Sequence, residues 1–255
     1  MIDFTDASAV FRLVSVIWIL LSVPTFLYLL KHPAPYGRYA TKGWGAMIPD
    51  KLGWMVMELP VLLIVITHIV TNSFELTMPG RVASAFFISH YIYRCLVYPL
   101  RIRTTGKQMP LTIAIAAIVF NLINGNLIGL GLTRFAEHGL GQFNVLAVTG
   151  VVLFITGLLM HIAADNHLVA LRKLSGNGYE IPYGKIFSKI SCPNYLGEIM
   201  EWVGFAMITN HIAAWSFAIW TAANLIPRAL HHHRWYLTHF KDYPPERKAL
   251  VPYLL

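Results

Sequence analysis

The stretch QMPLTIAIAAIVFNLINGNLIGLGLT, Gln108 to Thr133, contains no charged side chain. It exceeds the roughly 18 apolar residues that suggest a membrane-spanning helix. Its apolar residues run on without alternating, which fits a helix and not a barrel strand, and only those two structures satisfy their backbone groups in lipid. Two further runs, His138 to Ala164 and Trp202 to Pro227, are also free of charge. The chain has 255 residues, 56% of them hydrophobic and 13% charged. A soluble domain carries about 25% charged residues, so these are too few to wet a globular surface. The expected fold is all-α, a polytopic membrane bundle forming a single domain over residues 1–255.

Working outward, candidate spans fall at about 10–30, 53–71, 82–99, 109–129, 142–164, 194–209 and 211–230. The segment from Asn194 to Leu230 reads either as one long helix or as two short ones turning near Asn210 and His211. Charge favours two. With seven transmembrane helices, one side collects Lys31, Arg38, Lys42, Lys51, Arg101, Arg103, Lys107, Arg172, Lys173, Lys185 and Lys189, and also the tail residues Arg228, Arg234, Lys241, Arg247 and Lys248. The other side holds only Arg12, Arg81 and Arg134. The positive-inside rule then puts the N-terminus outside and the C-terminus in the cytosol. A bacterial plasma membrane and an endoplasmic reticulum both fit. The net charge of +8 is a topological signal and a contact for anionic lipid headgroups, with no need of nucleic acid. Asp3 and Asp6 replace the basic start of a signal peptide, so the first run is expected to be a retained helix. Cys95 and Cys192 have no metal-like spacing and receive no role. The inner segment Asn166 to Pro193 is expected to be a long loop, either a lid or a plain connection.

Ionisable groups inside a span cost at least about 2.5 kcal/mol on insertion scales and call for a partner or a function. Glu58, Arg94, Asp165, Glu198 and Glu201 all fall in the inner half of their spans, with Asn124, Asn194, His90 and Tyr91 at similar depth. A hydrated cavity open to the inside accounts for the clustering. The plainer alternative is structural pairing, for instance of Arg94 with Glu201. Arg228, His232 and Tyr236 recur at i, i+4 and i+8, one basic helical face suited to a phosphate-bearing ligand, whereas His231 and His233 point elsewhere. Adjacent histidines on a helix lie about 100° apart, so the His231–His233 run is not expected to hold a metal. No strand and no GxGxxG turn is expected, so any dinucleotide must be held by helix side chains.

These residues form an ordered series: Glu58-Leu59-Pro60, His90-Tyr91 with Arg94, Asn124-Gly125, Asp165 with Leu171-Arg172, Asn194-Tyr195-Leu196-Gly197-Glu198 with Glu201-Trp202, and Arg228 through Tyr236. The series, closed by Asp242-Tyr243-Pro244, resembles the steroid 5α-reductase family from the second span to the C-terminus. The resemblance implies seven helices, NADPH taken from the cytosolic side and steroid taken from the lipid. It implies that Glu58 and Tyr91 meet the steroid 3-oxo group. It further implies that Arg94, Asn124, Asp165, Arg172, Tyr179, Asn194, Glu198, Arg228, His232 and Tyr236 surround the cofactor. Three positions depart from the animal enzymes of the family: Met57 stands where they have Gln, Ala116 where they have Arg, and His161 where they have Asn.

On that basis the expected reaction is conjugate reduction, with hydride delivered to C5 of a 3-oxo-Δ4 steroid and negative charge accepted on the carbonyl oxygen. Tyr91 is expected to donate to that oxygen, and Glu58, held protonated by apolar surroundings, to share the network. Trp54, Phe86, Phe120 and Phe217 have the character to line an apolar slot, and none is assigned to it. Related branches act on polyprenals or 2-enoyl-CoA. The rival readings are a membrane methyltransferase and a proton-coupled transporter with Glu58, Asp165 and Glu198 as its relay.

Overall fold

A computed structural model describes residues 6–102, 106–135, 143–174 and 179–255. Arg103, Gln142, Gly176 and Gly178 lie outside the described residues. Helix α1 (Ala7–Lys31) starts at Asp6, whose carboxylate accepts from the backbone N–H of Ser8 and so meets one orphan donor of the first turn. Helix α2 (Asp50–Thr71) contains Pro60, which has no N–H to offer the preceding turn, two residues beyond Glu58. Helix α3 (Met78–Ile92) is capped by Thr77 and passes without a break through a π-helical turn, Tyr93–Val97, into the short α4 (Tyr98–Arg101). Arg94 sits in that wide turn, a local irregularity of the kind often found at functional sites. Helices α5 (Leu111–Thr133) and α6 (Val145–Leu174) follow, and then α7 (Pro193–Thr209) and α8 (Ile212–His239).

The turn expected near Asn210 is present. Asn210 is left-handed at φ 48°, a conformation Asn tolerates, and the ring of His211 accepts from Ala214 N–H to open α8. Two expectations need correction. The segment after Asp165 is not a loop from Asn166 onward, because α6 continues to Leu174 and carries Arg172 on its last turn. A strand is also present: β1 (Met47–Pro49) pairs antiparallel with β2 (Gln108–Pro110), Ile48 opposite Met109. This short ribbon ties the loop before α2 to the one before α5, so α5 begins at Leu111 and not at 109.

Among the described residues, four helices are long and apolar enough to cross a membrane: Ala7–Lys31, Asp50–Thr71, Leu111–Thr133 and Val145–Lys173. Their outer faces show large apolar side chains such as Leu20, Leu63, Val119 and Leu159, an arrangement that lipid tolerates and water does not. With the relatives reported below, these helices make the chain an integral membrane protein.

Packing pairs α6 with α7, α2 with α5 and α1 with α8. Glycine brings α6 and α7 close together. A Cβ built on Gly157 would lie 2.5 Å from the carbonyl oxygen of Gly197, and one on Gly150 would lie 2.6 Å from that of Gly204. Apolar surfaces have no hydrophobic drive to associate in lipid, so close backbone approach of this kind holds helices by dispersion. It also sets Glu201 of α7 directly against His161 of α6. The core around this contact contains Val61, Phe87, Phe154, Trp202, Phe205 and Phe217.

Candidate active site

The polar chamber forms where the Lys- and Arg-rich loops meet the ends of α3, α6, α7 and α8. Its wall includes the bases Arg38, Arg94, Lys107, Arg172 and Arg228 and the acids Asp50, Asp165 and Glu180. Arg38 lies over Tyr179 on one side, 4.3 Å to the ring centroid, and over Trp235 on the other, 3.7 Å. Lys107 and Arg172 approach the same Tyr179 ring. Burial pushes the Tyr179 hydroxyl up, but Lys107, Arg38 and Arg172 outweigh it and hold the group below the ordinary phenol value. Arg228 Nε donates to Tyr195 Oη at 3.0 Å and its Nη2 to the carbonyl of Tyr36 at 3.3 Å. Among the described residues, buried guanidinium nitrogens remain without a partner: Nη1 of Arg228, and Nε and Nη1 of Arg38. Such cations need an anion, and a phosphate-bearing cofactor supplies one, so the donor set fits NADPH. About 150 Å³ stays free between these side chains.

A second, mostly apolar chamber of about 310 Å³ lies against the first, at the lower end of the size range of small-molecule sites. Trp54, Met57, Ile113, Ala116, Ala117, Phe120, Phe217 and Trp220 give it apolar walls. Its polar groups include Glu58, Tyr91, Arg94, His90 and Glu198. Tyr36, Trp54, Arg94 and Leu225 line both chambers. Arg94 is the charged part of this partition. Its Nε donates to Glu58 at 3.3 Å, its Nη1 to Glu198 at 3.2 Å, and its guanidinium lies 5.0 Å from the Trp54 ring centroid. Among the described residues no hydrogen bond engages the hydroxyl of Tyr91, which leaves that donor for a ligand.

The residues anticipated for a cofactor divide as follows. Asp165, Arg172, Tyr179, Asn194, Arg228, His232 and Tyr236 line the polar chamber, and Arg94 fronts both. Glu198 instead lines the apolar chamber, because its turn of α7 faces Arg94. Asn124 lines neither; it is fully buried in α5 and its amide has no partner among the described residues. Glu58 does not sit in purely apolar surroundings, since Arg94 faces it. The pairing of Arg94 with Glu201, offered as an example of the plainer alternative, does not occur: Glu201 takes the histidines His90 and His161. His231 and His233 do not line the chamber; they bond to the carbonyl of Leu29 and to Ser191. Of the aromatics considered for an apolar slot, Trp54, Phe120 and Phe217 line it, whereas Phe86 stacks on Phe154.

Sequence reasoning missed Arg38, Tyr36, Lys107 and Tyr195, which reach the polar chamber from loops or from the far side of a helix. Only the basic and aromatic character of Tyr36-Gly37-Arg38 hinted at them. It also missed the triad His90, His161 and Glu201, whose ligand-type atoms all lie within 4.8 Å of one another. A metal with arms of about 2.0–2.1 Å would space its ligands about 3.3 Å apart. Here each histidine Nδ1 lies 2.7 or 2.8 Å from a different oxygen of Glu201, the spacing of charge-assisted hydrogen bonds.

A helical membrane bundle with a cationic chamber abutting an apolar one has the layout of an enzyme that sets an anionic cofactor beside a lipophilic substrate. Comparison with known proteins makes the class specific. A family profile described as 3-oxo-5-alpha-steroid 4-dehydrogenase matches residues 107–255. The chain is 37% identical to a steroid 5-alpha-reductase DET2 of Solanum lycopersicum, covering 98% of this chain and 99% of that protein. It is also 37% identical to a 3-oxo-5-alpha-steroid 4-dehydrogenase 1 of Bos taurus, covering 92% and 93%. The chain therefore belongs to the 3-oxo-5-alpha-steroid 4-dehydrogenase family, and is an oxidoreductase acting on CH–CH groups. Met57 and Ala116, two of the three departures expected from the resemblance, line the apolar chamber. The third, His161, belongs to the buried triad.

Proposed function

We propose that the protein reduces the Δ4 double bond of a 3-oxo-Δ4 steroid with NADPH, giving the 5α-reduced 3-oxo product. The observation that carries this reading is the shared wall at Tyr36, Trp54, Arg94 and Leu225, which sets the cationic chamber directly against the apolar one. Arg38, Arg172, Arg228, His232, Tyr236, Asn194, Asp165 and Tyr179 are the residues assigned to the cofactor, with Arg94 at the partition. NADPH, when bound, supplies a hydride for C5. Tyr91 donates a hydrogen bond to the 3-oxo oxygen, where negative charge develops as the enone becomes an enolate. Glu58 acts within the same polar group, fixed by Arg94, and orients the carbonyl end of the substrate. The walls are largely apolar, and in a low dielectric a single oriented donor has a large effect on the barrier.

In the membrane, the reading has seven spanning helices forming one domain, with the N-terminus outside, the C-terminus in the cytosol and the polar chamber opening to the cytosol. The clustering of Lys and Arg supports this orientation. The apolar chamber takes its substrate from the lipid. The test offers purified protein and NADPH a 3-oxo-Δ4 steroid, a polyprenal and a 2-enoyl-CoA in turn, and follows cofactor oxidation and product stereochemistry. Oxidation with the steroid to a 5α product is expected. Oxidation with the polyprenal or the enoyl-CoA alone would move the substrate to that class, and none with any of the three would remove the reductase reading.

A further inference from the structure

Reduction of a conjugated double bond consumes one proton as well as one hydride. The hydride forms the bond at the β-carbon and pushes an electron pair onto the carbonyl oxygen. A proton must then reach the α-carbon as the carbonyl re-forms. The apolar chamber is walled largely by apolar side chains, and a proton source built into the protein would meet the need there.

A chain of four buried ionisable side chains joins the two chambers. Asp165 lines the polar chamber, and its Oδ2 lies 3.2 Å from Nε2 of His161. Nδ1 of His161 is 2.8 Å from Oε1 of Glu201, and Oε2 of Glu201 is 2.7 Å from Nδ1 of His90. The ring of His90 lines the apolar chamber beside Tyr91. Glu201 is fully buried and His161 is 1% exposed, so the two middle members meet neither chamber nor water. Each middle member receives on one atom and passes on from another, the condition for relaying a proton in one direction. His161 faces a carboxylate oxygen with both nitrogens, and ionised carboxylates only accept, so the chain must hold a proton beyond those of a neutral imidazole. A purely structural ion pair would need one base for Glu201, whereas here two histidines and a second acid extend the pair from wall to wall.

We infer that Asp165, His161, Glu201 and His90 conduct the consumed proton from the polar chamber to the α-carbon of the substrate, His90 Nε2 being the last donor. Nε2 has no hydrogen-bond partner among the described residues. The inference rests on the reductase reading above. In balance, the substrate gains a hydride and a proton, the cofactor is oxidised, and water in the polar chamber returns the proton to Asp165. His161 makes the path continuous, its Nε2 facing Asp165 and its Nδ1 facing Glu201.

The experiment compares wild type with His161→Gln and Glu201→Gln, which keep hydrogen-bonding side chains but cannot relay. Full-length protein in detergent is measured for melting temperature, NADPH binding by fluorescence, and steroid turnover in H2O and D2O with protiated and C4-deuterated NADPH. In both variants kcat is expected to fall about 100-fold, in the range for loss of positioned acid–base groups, with NADPH affinity kept. The solvent isotope effect should grow while the cofactor isotope effect shrinks, as proton delivery becomes limiting. Should one variant fail to fold, the other gives the same readout, and His90→Gln gives a third. Folded variants with turnover near wild type, or with reduced turnover and unchanged isotope effects, would overturn the relay. A wild-type protein that binds NADPH but oxidises it with no substrate would instead overturn the reductase reading beneath it, a failure visible before any variant is made.

Discussion

The polar and apolar chambers share a wall but are built on opposite principles. The polar one is made largely of side chains that reach in from loops and helix ends, and its cations are left partly unpaired. The apolar one is made within the bundle, and its charges are paired: Glu58 and Glu198 both meet Arg94. Unpaired buried cations await a ligand's charge, whereas paired ones hold a geometry. Under the proposed function, the first chamber binds the anion and the second controls the reacting carbonyl.

The sharpest way to break that division is Tyr91→Phe. If the apolar chamber controls chemistry, kcat should drop by about 100-fold to 1000-fold, the usual cost of removing one donor to a developing oxyanion. NADPH affinity, measured by fluorescence titration, should stay at the wild-type value; a loss in both would merge the two roles. Arg228→Met tests the other side, with a smaller effect. Removing a charged hydrogen-bonding partner should weaken NADPH binding by about 10-fold to 100-fold, equivalent to roughly 1.5–3 kcal/mol. In that variant, kcat at saturating cofactor should change little.

The smallest effect concerns pH. Tyr179 is held below the ordinary phenol value by Lys107, Arg38 and Arg172, against the upward push of burial. As pH rises through that lowered value the residue gains a negative charge among the groups proposed to bind phosphate, and NADPH affinity should fall. In Tyr179→Phe that alkaline decline should move to higher pH. An unchanged profile would take Tyr179 out of the cofactor site.

Much of the fold is local in origin and was legible. Uninterrupted apolar runs marked the helices, and Asn210-His211 marked the turn between α7 and α8, because a left-handed residue and a capping side chain act on their own neighbours. The i, i+4, i+8 face of Arg228, His232 and Tyr236 was legible for the same reason. The extension of α6 to Leu174 was not, because Asn166, Arg172 and Lys173 look like loop residues by composition although a helix leaving the membrane tolerates them. The partners of Arg94 and Glu201 were hidden as well. His90 and Glu201 are 111 residues apart, and which acid meets which base depends on how far each helix is rotated about its axis.

The sequence alone determined that this chain is a helical membrane bundle with its ionisable residues gathered toward one end, because hydropathy and charge act residue by residue against lipid and water. Only the tertiary structure decided that those residues divide between two abutting chambers, that Arg94 stands between them, and that Glu201 belongs to two histidines. Side-chain pairing inside a bundle follows from the close approach of particular helix faces. For α6 and α7 that approach is set by glycines whose partners lie on another helix.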